Sequence, residues 1–234
     1  MIDSAALRAR LADVRARIAR AAGRAGRDPS SIRLVAVSKT FPADHVRAAA
    51  DAGQIDFGEN TVQEALLKMD LTADLAVRWH LLGHLQSNKA KKAARFSVVH
   101  SVDGATLVQK LDEAASSARR QLDLLVQVDL AGEATKHGAQ EDELAAIFDA
   151  ARSARSCRCV GLMILPPAAD DPEKARPFFR ALRDVRARLL ARGVDASMLQ
   201  ELSMGMSHDF EVAVEEGATL VRVGTAIFGG RNYV

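Results

Sequence analysis

Leu7, Leu11, Val14 and Ile18 are spaced four, three and four positions apart, a single apolar stripe on a helix. Asp3 stands where an N-cap carboxylate belongs, so the spacing predicts a helix over 3–20. Past the break at Gly23, Gly26 and Pro29 the period changes. Short β-rich apolar runs now alternate with stretches of helical periodicity, and eight such runs occur, at 33–39, 54–58, 78–83, 97–102, 122–130, 159–165, 200–204 and 219–223. Several are apolar at consecutive positions, as in Leu34-Val35-Ala36-Val37 and most of 122–128, the pattern of a strand covered on both faces. That predicts a parallel sheet. Eight β-then-α units predict the α/β class and, within it, a (β/α)8 TIM barrel with an additional N-terminal helix. An open, doubly wound sheet is the alternative. No linker rich in Pro, Gly or Ser divides the chain, so residues 1–234 are read as one domain.

Composition narrows the function classes. The 234 residues are 48% hydrophobic and 26% charged, enough to bury a sizeable core and too apolar for disorder. Lys and Arg total 32 against 30 Asp and Glu, a net +2 that offers no general attraction to nucleic acid or to an anionic membrane. Cys157 and Cys159 form a C-x-C with no second Cys or His pair at zinc spacing, so reduced thiols and a cytoplasmic protein are expected. The longest apolar stretch, 160–169, is about half the ~20 residues of a membrane helix. The first residues carry Arg and Asp where a signal peptide has its apolar core, so neither export nor anchoring is expected.

In a barrel of this kind the chemistry sits at the C-terminal ends of the strands. Run one ends in Ser38-Lys39-Thr40, and by alternation Lys39 shares the face of Val35 and Val37. A lysine facing the barrel axis would be partly desolvated, which favours the neutral, nucleophilic amine needed for a Schiff base; a lysine capping the strand in solvent is the plainer reading. Arg222 interrupts the apolar run Leu220-Val221-Arg222-Val223 and must meet a carboxylate, carbonyls or a ligand atom. Ser203-Met204-Gly205-Met206-Ser207-His208-Asp209 leads from a strand toward a helix, and Gly224-Thr225 forms a second small turn. Both are rich in donors and lie after runs seven and eight, where barrels commonly hold phosphate; either alone could be an ordinary cap. Asn60 either contacts a ligand or caps the next helix. His80 and His84 lack the helical HExxH setting and a third ligand, so no metal site is expected. Lys89, Lys91 and Lys92 have no interleaved aromatics and read as a solvated face. Lys136 lies on a polar loop able to act as a lid. The two cysteines read as buried, inert thiols.

Ala36-Val37-Ser38-Lys39-Thr40, Phe57-Gly58-Glu59-Asn60, Trp79-His80 with Gly83, Gln86, Asn88 and Lys89, Gly132 to Lys136, Gly161-Leu162-Met163, Leu202 to Asp209 and Val221 to Gly229 follow one another in that order over nearly the whole chain. Together they resemble the pyridoxal phosphate homeostasis proteins, also called the YggS or PROSC family, whose fold is similar to the barrel domain of alanine racemase. Asp129 and Pro166-Pro167 depart from the family pattern. The resemblance implies that pyridoxal 5′-phosphate (PLP) is the cofactor and is carried on Lys39 as a Schiff base. It further implies that Ser203, Gly205, Ser207, Gly224 and Thr225 hold the phosphate, that Asn60 and His80 lie at the cofactor, and that Arg222 faces the pyridine nitrogen. A guanidinium can only donate there, so the ring stays a weak electron sink. In alanine racemase a second domain supplies an opposing tyrosine, whereas the one tyrosine here is Tyr233. The implied role is a monomeric carrier or regulator in vitamin B6 and amino-acid homeostasis, exchanging PLP with apo-enzymes and lacking efficient catalysis. A monodomain amino-acid racemase using Lys39 is the alternative, and a cofactor-free aldolase lysine is a third.

Overall fold

A computed structural model describes residues 3–132 and 137–230. Its strands are β1 (Arg33–Val37), β2 (Asp56–Glu59), β3 (Arg78–Leu81), β4 (Val98–Val102), β5 (Leu122–Gln127), β6 (Cys157–Met163), β7 (Glu201–Ser203) and β8 (Leu220–Val223). All neighbours pair in parallel, and β1 pairs with β8 from Arg33 opposite Leu220 to Ala36 opposite Val223, which closes the barrel. Each predicted run therefore overlaps a strand, and the open-sheet alternative is excluded. The register slips between β4 and β5 and between β5 and β6. There β6 begins two residues before its predicted run, at Cys157. Among the described residues no helix is long and apolar enough to cross a membrane.

Alternation along the strands divides the core into two. Outward residues such as Phe57, Trp79, Leu124, Leu162 and Val221 pack under the surrounding helices and form the larger cluster. A small apolar set, Val35, Val98, Leu125, Met163 and Leu220, fills part of the barrel interior. The rest of that interior is polar: Asp56, His80, His100, Ser203 and Arg222 are all buried at inward positions. Ion pairs Arg33–Glu201 (3.5 Å), Arg78–Asp56 (2.8 Å) and Arg158–Asp123 (2.8 Å) join side chains at or near the N-terminal ends of their strands.

Helix α1 (Ser4–Arg24) forms as its pattern predicts, and the Asp3 side chain accepts the Ala6 N–H at 2.9 Å as an N-cap. Its stripe of Leu7, Leu11, Val14 and Ile18 is buried. Across from it lie the helices Phe210–Glu215 and Thr225–Phe228, which follow β7 and β8. Arg17 pairs with Glu211 at 2.9 Å with its guanidinium over the Phe210 ring, and Arg10 donates to the Ile227 carbonyl at 2.6 Å. The N-terminal helix thus braces the two turns that lead out of β7 and β8. Leu11→Ala is expected to lower unfolding free energy by about 2–5 kcal/mol in urea denaturation, the range for truncating a buried leucine. A loss under 1 kcal/mol would show that α1 does not belong to the cooperative core.

Candidate functional site

The C-terminal strand ends surround a cavity of about 630 Å³, within the range of small-molecule sites. Lys39 after β1, Asn60 after β2, Ser207 after β7, and Arg222, Gly224 and Thr225 from β8 and its turn all line it. So do Gln127, His84 and the apolar Val37, Leu82 and Leu165. Three of the predicted site residues lie elsewhere. His80 and Ser203 are fully buried inside the barrel, and Gly205 is buried within the turn after β7; none of the three is on the cavity wall. Packing explains Gly205: its φ is +91° and an added Cβ would come within 2.5 Å of the Ala213 Cβ, so the position answers to backbone shape.

The segment carrying Lys39 is tied down on both sides. Ser38 Oγ donates to Glu59 Oε1 at 2.6 Å, and the Thr40 N–H donates to Glu64 Oε1 at 2.6 Å. Lys68 joins these anchors, donating to the Ser38 carbonyl (2.7 Å), Glu59 Oε1 (2.7 Å) and Glu64 Oε1 (2.8 Å). Thr40 adopts φ 70°, a left-handed conformation that a β-branched residue takes only when its surroundings impose it. Burial pushes the Glu59 carboxyl above the usual range against the opposing pull of Lys68 and Ser38, and its Oε2 has no hydrogen-bond partner among the described residues. Sequence reading missed Glu59 and Lys68 as a pair, because nothing local shows that a helix lysine turns inward beneath a strand end.

Ser207 connects the two turns predicted for phosphate. Its Oγ accepts the Gly224 N–H at 3.0 Å and the Ala226 N–H at 3.4 Å. The Met206 N–H is held by Asp209 Oδ1 at 2.6 Å, and His208 contacts the Asp170 carbonyl at 2.8 Å. In accepting these N–H groups the Ser207 hydroxyl keeps its own hydrogen, which it can offer to an anion at this wall. Gly83 is required by close approach, since a Cβ there would fall 2.0 Å from the Asn60 carbonyl oxygen.

Arg222 is met by neutral acceptors, not by the carboxylate of a structural ion pair. Nη1 donates to Ser203 Oγ at 2.6 Å and Nη2 to the Ile164 carbonyl at 2.9 Å. Burial pulls its pKa down to about 10, opposed by the charge of Asp209, which leaves it cationic at neutral pH. Behind it, Ser203 Oγ lies 2.8 Å from His100 Nδ1, His100 Nε2 lies 2.8 Å from His80 Nδ1, and His80 Nε2 lies 2.8 Å from Asp56 Oδ1. Burial depresses both imidazoles, His100 well below the ordinary histidine value. For Asp56 burial pulls upward, but hydrogen bonds from His80 and Arg78 outweigh it and hold the carboxyl below its ordinary value. A signal for this chain was present in the sequence: Asp56, His80 and His100 are polar at inward positions of apolar runs, the cue that singled out Arg222.

At the rim His84 lies 3.3 Å from Asp103 and stacks on His137, the one described group of potential metal ligands. Its rings are nearly parallel, 3.6 Å apart, so both cannot direct a lone pair at one ion as they stand. His80 does not join them. Cys157 and Cys159 are free and buried, and burial pushes both thiols up to about 12, which leaves them unreactive at neutral pH. Lys136 and Tyr233 lie outside the described residues.

The family model of the alanine racemase N-terminal domain matches residues 2–232. The pyridoxal phosphate homeostasis protein of Pseudomonas aeruginosa is 44% identical over 224 residues, 95% of each chain. That of Aquifex aeolicus is 41% identical over 225 residues, 96% of this chain and 98% of the relative. The chain belongs to the pyridoxal phosphate homeostasis protein family. PipY of Synechococcus elongatus PCC7942, solved with PLP bound, superposes on this family member with a TM-score of 0.84 at 39% identity, covering 95% of this chain and 100% of PipY. Alanine racemase from Corynebacterium glutamicum shares the fold, with a TM-score of 0.74 at 19% identity over 98% of this chain and 62% of the racemase.

Two outcomes follow for this homeostasis-family barrel. Lys68→Met leaves Glu59 buried without its cation, so unfolding free energy should drop by about 3–5 kcal/mol, and adding Glu59→Leu should recover part of the loss. The second concerns acid. Because His80 and His100 are depressed in the folded state, the unfolded chain binds protons the folded one refuses below about pH 6.5. Stability carried by each is full above that pH and lost on acidification, by up to about 1.4 kcal/mol per pH unit. Urea midpoints of wild type and His100→Gln should therefore converge between about pH 7.5 and about pH 5, and parallel curves would contradict a neutral His100.

Proposed function

We propose that this protein binds PLP in the strand-end cavity, tethers it reversibly through Lys39, and serves vitamin B6 and amino-acid homeostasis as a carrier or regulator. The observation that carries this reading is the convergence of Lys39, Arg222 and the Ser207–Gly224 turn on one cavity from strands at opposite ends of the chain. The donor set fits the ligand: an amine for an aldehyde, N–H and hydroxyl groups for a phosphate, and a cation for a ring nitrogen. PLP supplies an aldehyde, whose condensation with the Lys39 amine forms one C=N bond, releases one water and is reversed by water. Ser207, Gly224 and Thr225 are assigned to the phosphate, Asn60 to the ring and Arg222 to the pyridine nitrogen. Ser203, Gly205 and His80 support that wall from behind.

Arg222 also argues against efficient catalysis. A guanidinium donates without giving up its proton, so the ring nitrogen it faces remains unprotonated and draws electrons weakly. The racemase alternative needs a second base, and His84, which lines the same cavity and lies 3.3 Å from Asp103, is a candidate for that role. PLP titrated into the purified protein should give a visible absorbance band with one equivalent bound, and Lys39→Ala should lose the band. Persistence of that band in the variant would refute the tether. Lys39-dependent exchange of the alanine α-proton in heavy water would instead favour the racemase.

A further inference from the structure

The buried polar chain has one permitted direction. Arg222 carries only donors, so its Nη1 hydrogen must point at Ser203 Oγ. At the other end an ionised Asp56 can only accept, so His80 Nε2 must carry a hydrogen. If both imidazoles are neutral, His80 Nδ1 is then an acceptor, His100 Nε2–H fills it, and His100 Nδ1 takes the hydroxyl hydrogen of Ser203. The two ends demand the same polarity.

We propose that Asp56, His80, His100 and Ser203 form a one-way hydrogen-bond relay through the barrel core that holds the Arg222 guanidinium in place at the cavity. The four are positioning residues, since only Arg222 reaches the cavity wall. Every acceptor lone pair in the relay points toward Arg222 and every hydrogen toward Asp56, so the carboxylate satisfies the cation across the barrel without standing beside it. A carboxylate in contact would compete with any ligand for the remaining guanidinium donors. The relay anchors Nη1, the Ile164 carbonyl anchors Nη2, and no carboxylate among the described residues contacts the guanidinium. Where Arg222 is concerned with PLP, this rests on the function proposed above.

Long-range nitrogen–proton NMR of the uniformly labelled, cofactor-free protein tests the polarity directly. At neutral pH both His80 and His100 should be neutral with the hydrogen on Nε2; a cationic His80, or either ring with its hydrogen on Nδ1, overturns the relay. Asp56→Asn keeps an acceptor for His80 but removes the charge, and should speed exchange of the Arg222 Nη hydrogens and weaken PLP binding, each by about tenfold. Ser203→Ala removes the joint itself and should release His100 into a mixture of tautomers while speeding the same exchange. Wild-type exchange at Arg222 in both variants refutes the holding role. Should wild type fail to take up PLP, the proposed function falls, while the tautomers and the exchange rates still decide the relay.

Discussion

A cation cannot be sealed inside a protein unless acceptors are brought to it, and the interior of this barrel is organised around that demand. Arg222 stands on the last strand, and its acceptors come from β7 and from the residue following β6. Behind Ser203 the chain passes to β4, β3 and β2 before it ends on Asp56, where Arg78 closes it. Five of the eight strands contribute a side chain to this chain of hydrogen bonds. The apolar fill of the interior is correspondingly small, and most hydrophobic burial lies between the strands and the outer helices.

That division of labour has a functional consequence. The outer layer supplies stability through area removed from water, which leaves the inner layer free to hold groups that a purely apolar core would exclude. Lys39 is treated in the same manner. Its neighbours on both sides are fixed to Glu59 and Glu64, and Lys68 links those carboxylates beneath the strand end. Backbone strain at Thr40 persists because these anchors over-determine it. Helix α1 performs the matching task for the turns after β7 and β8 by packing on the helices that follow them.

The same design separates what touches a ligand from what holds the contact in place. Ser207 and Gly224 join two turns through one hydrogen bond, so the donor-rich wall behaves as a unit although its parts are 17 residues apart. Ser203 and His80, which the family resemblance places at the cofactor, lie one layer deeper. Their hydrogen-bonding capacity is used inside the barrel, and Gly205 is demanded by the approach of Phe210 and Ala213.

The sequence by itself determined the order and number of strands, the N-terminal helix with its cap, and the positions of Lys39, Arg222 and the two small turns. Each of these is written in a short window, as an apolar period, a cap residue or a charge inside an apolar run. The tertiary structure alone decided which polar residues meet. Ser203 and His100 are 103 positions apart, Asp56 and His80 are 24 apart, and Glu59 is met by a lysine on the following helix. Parallel strands make this so: residues at the same height in a closed barrel are neighbours whatever their separation along the chain. A local pattern fixes which face a side chain takes, and only barrel closure and register fix what it faces.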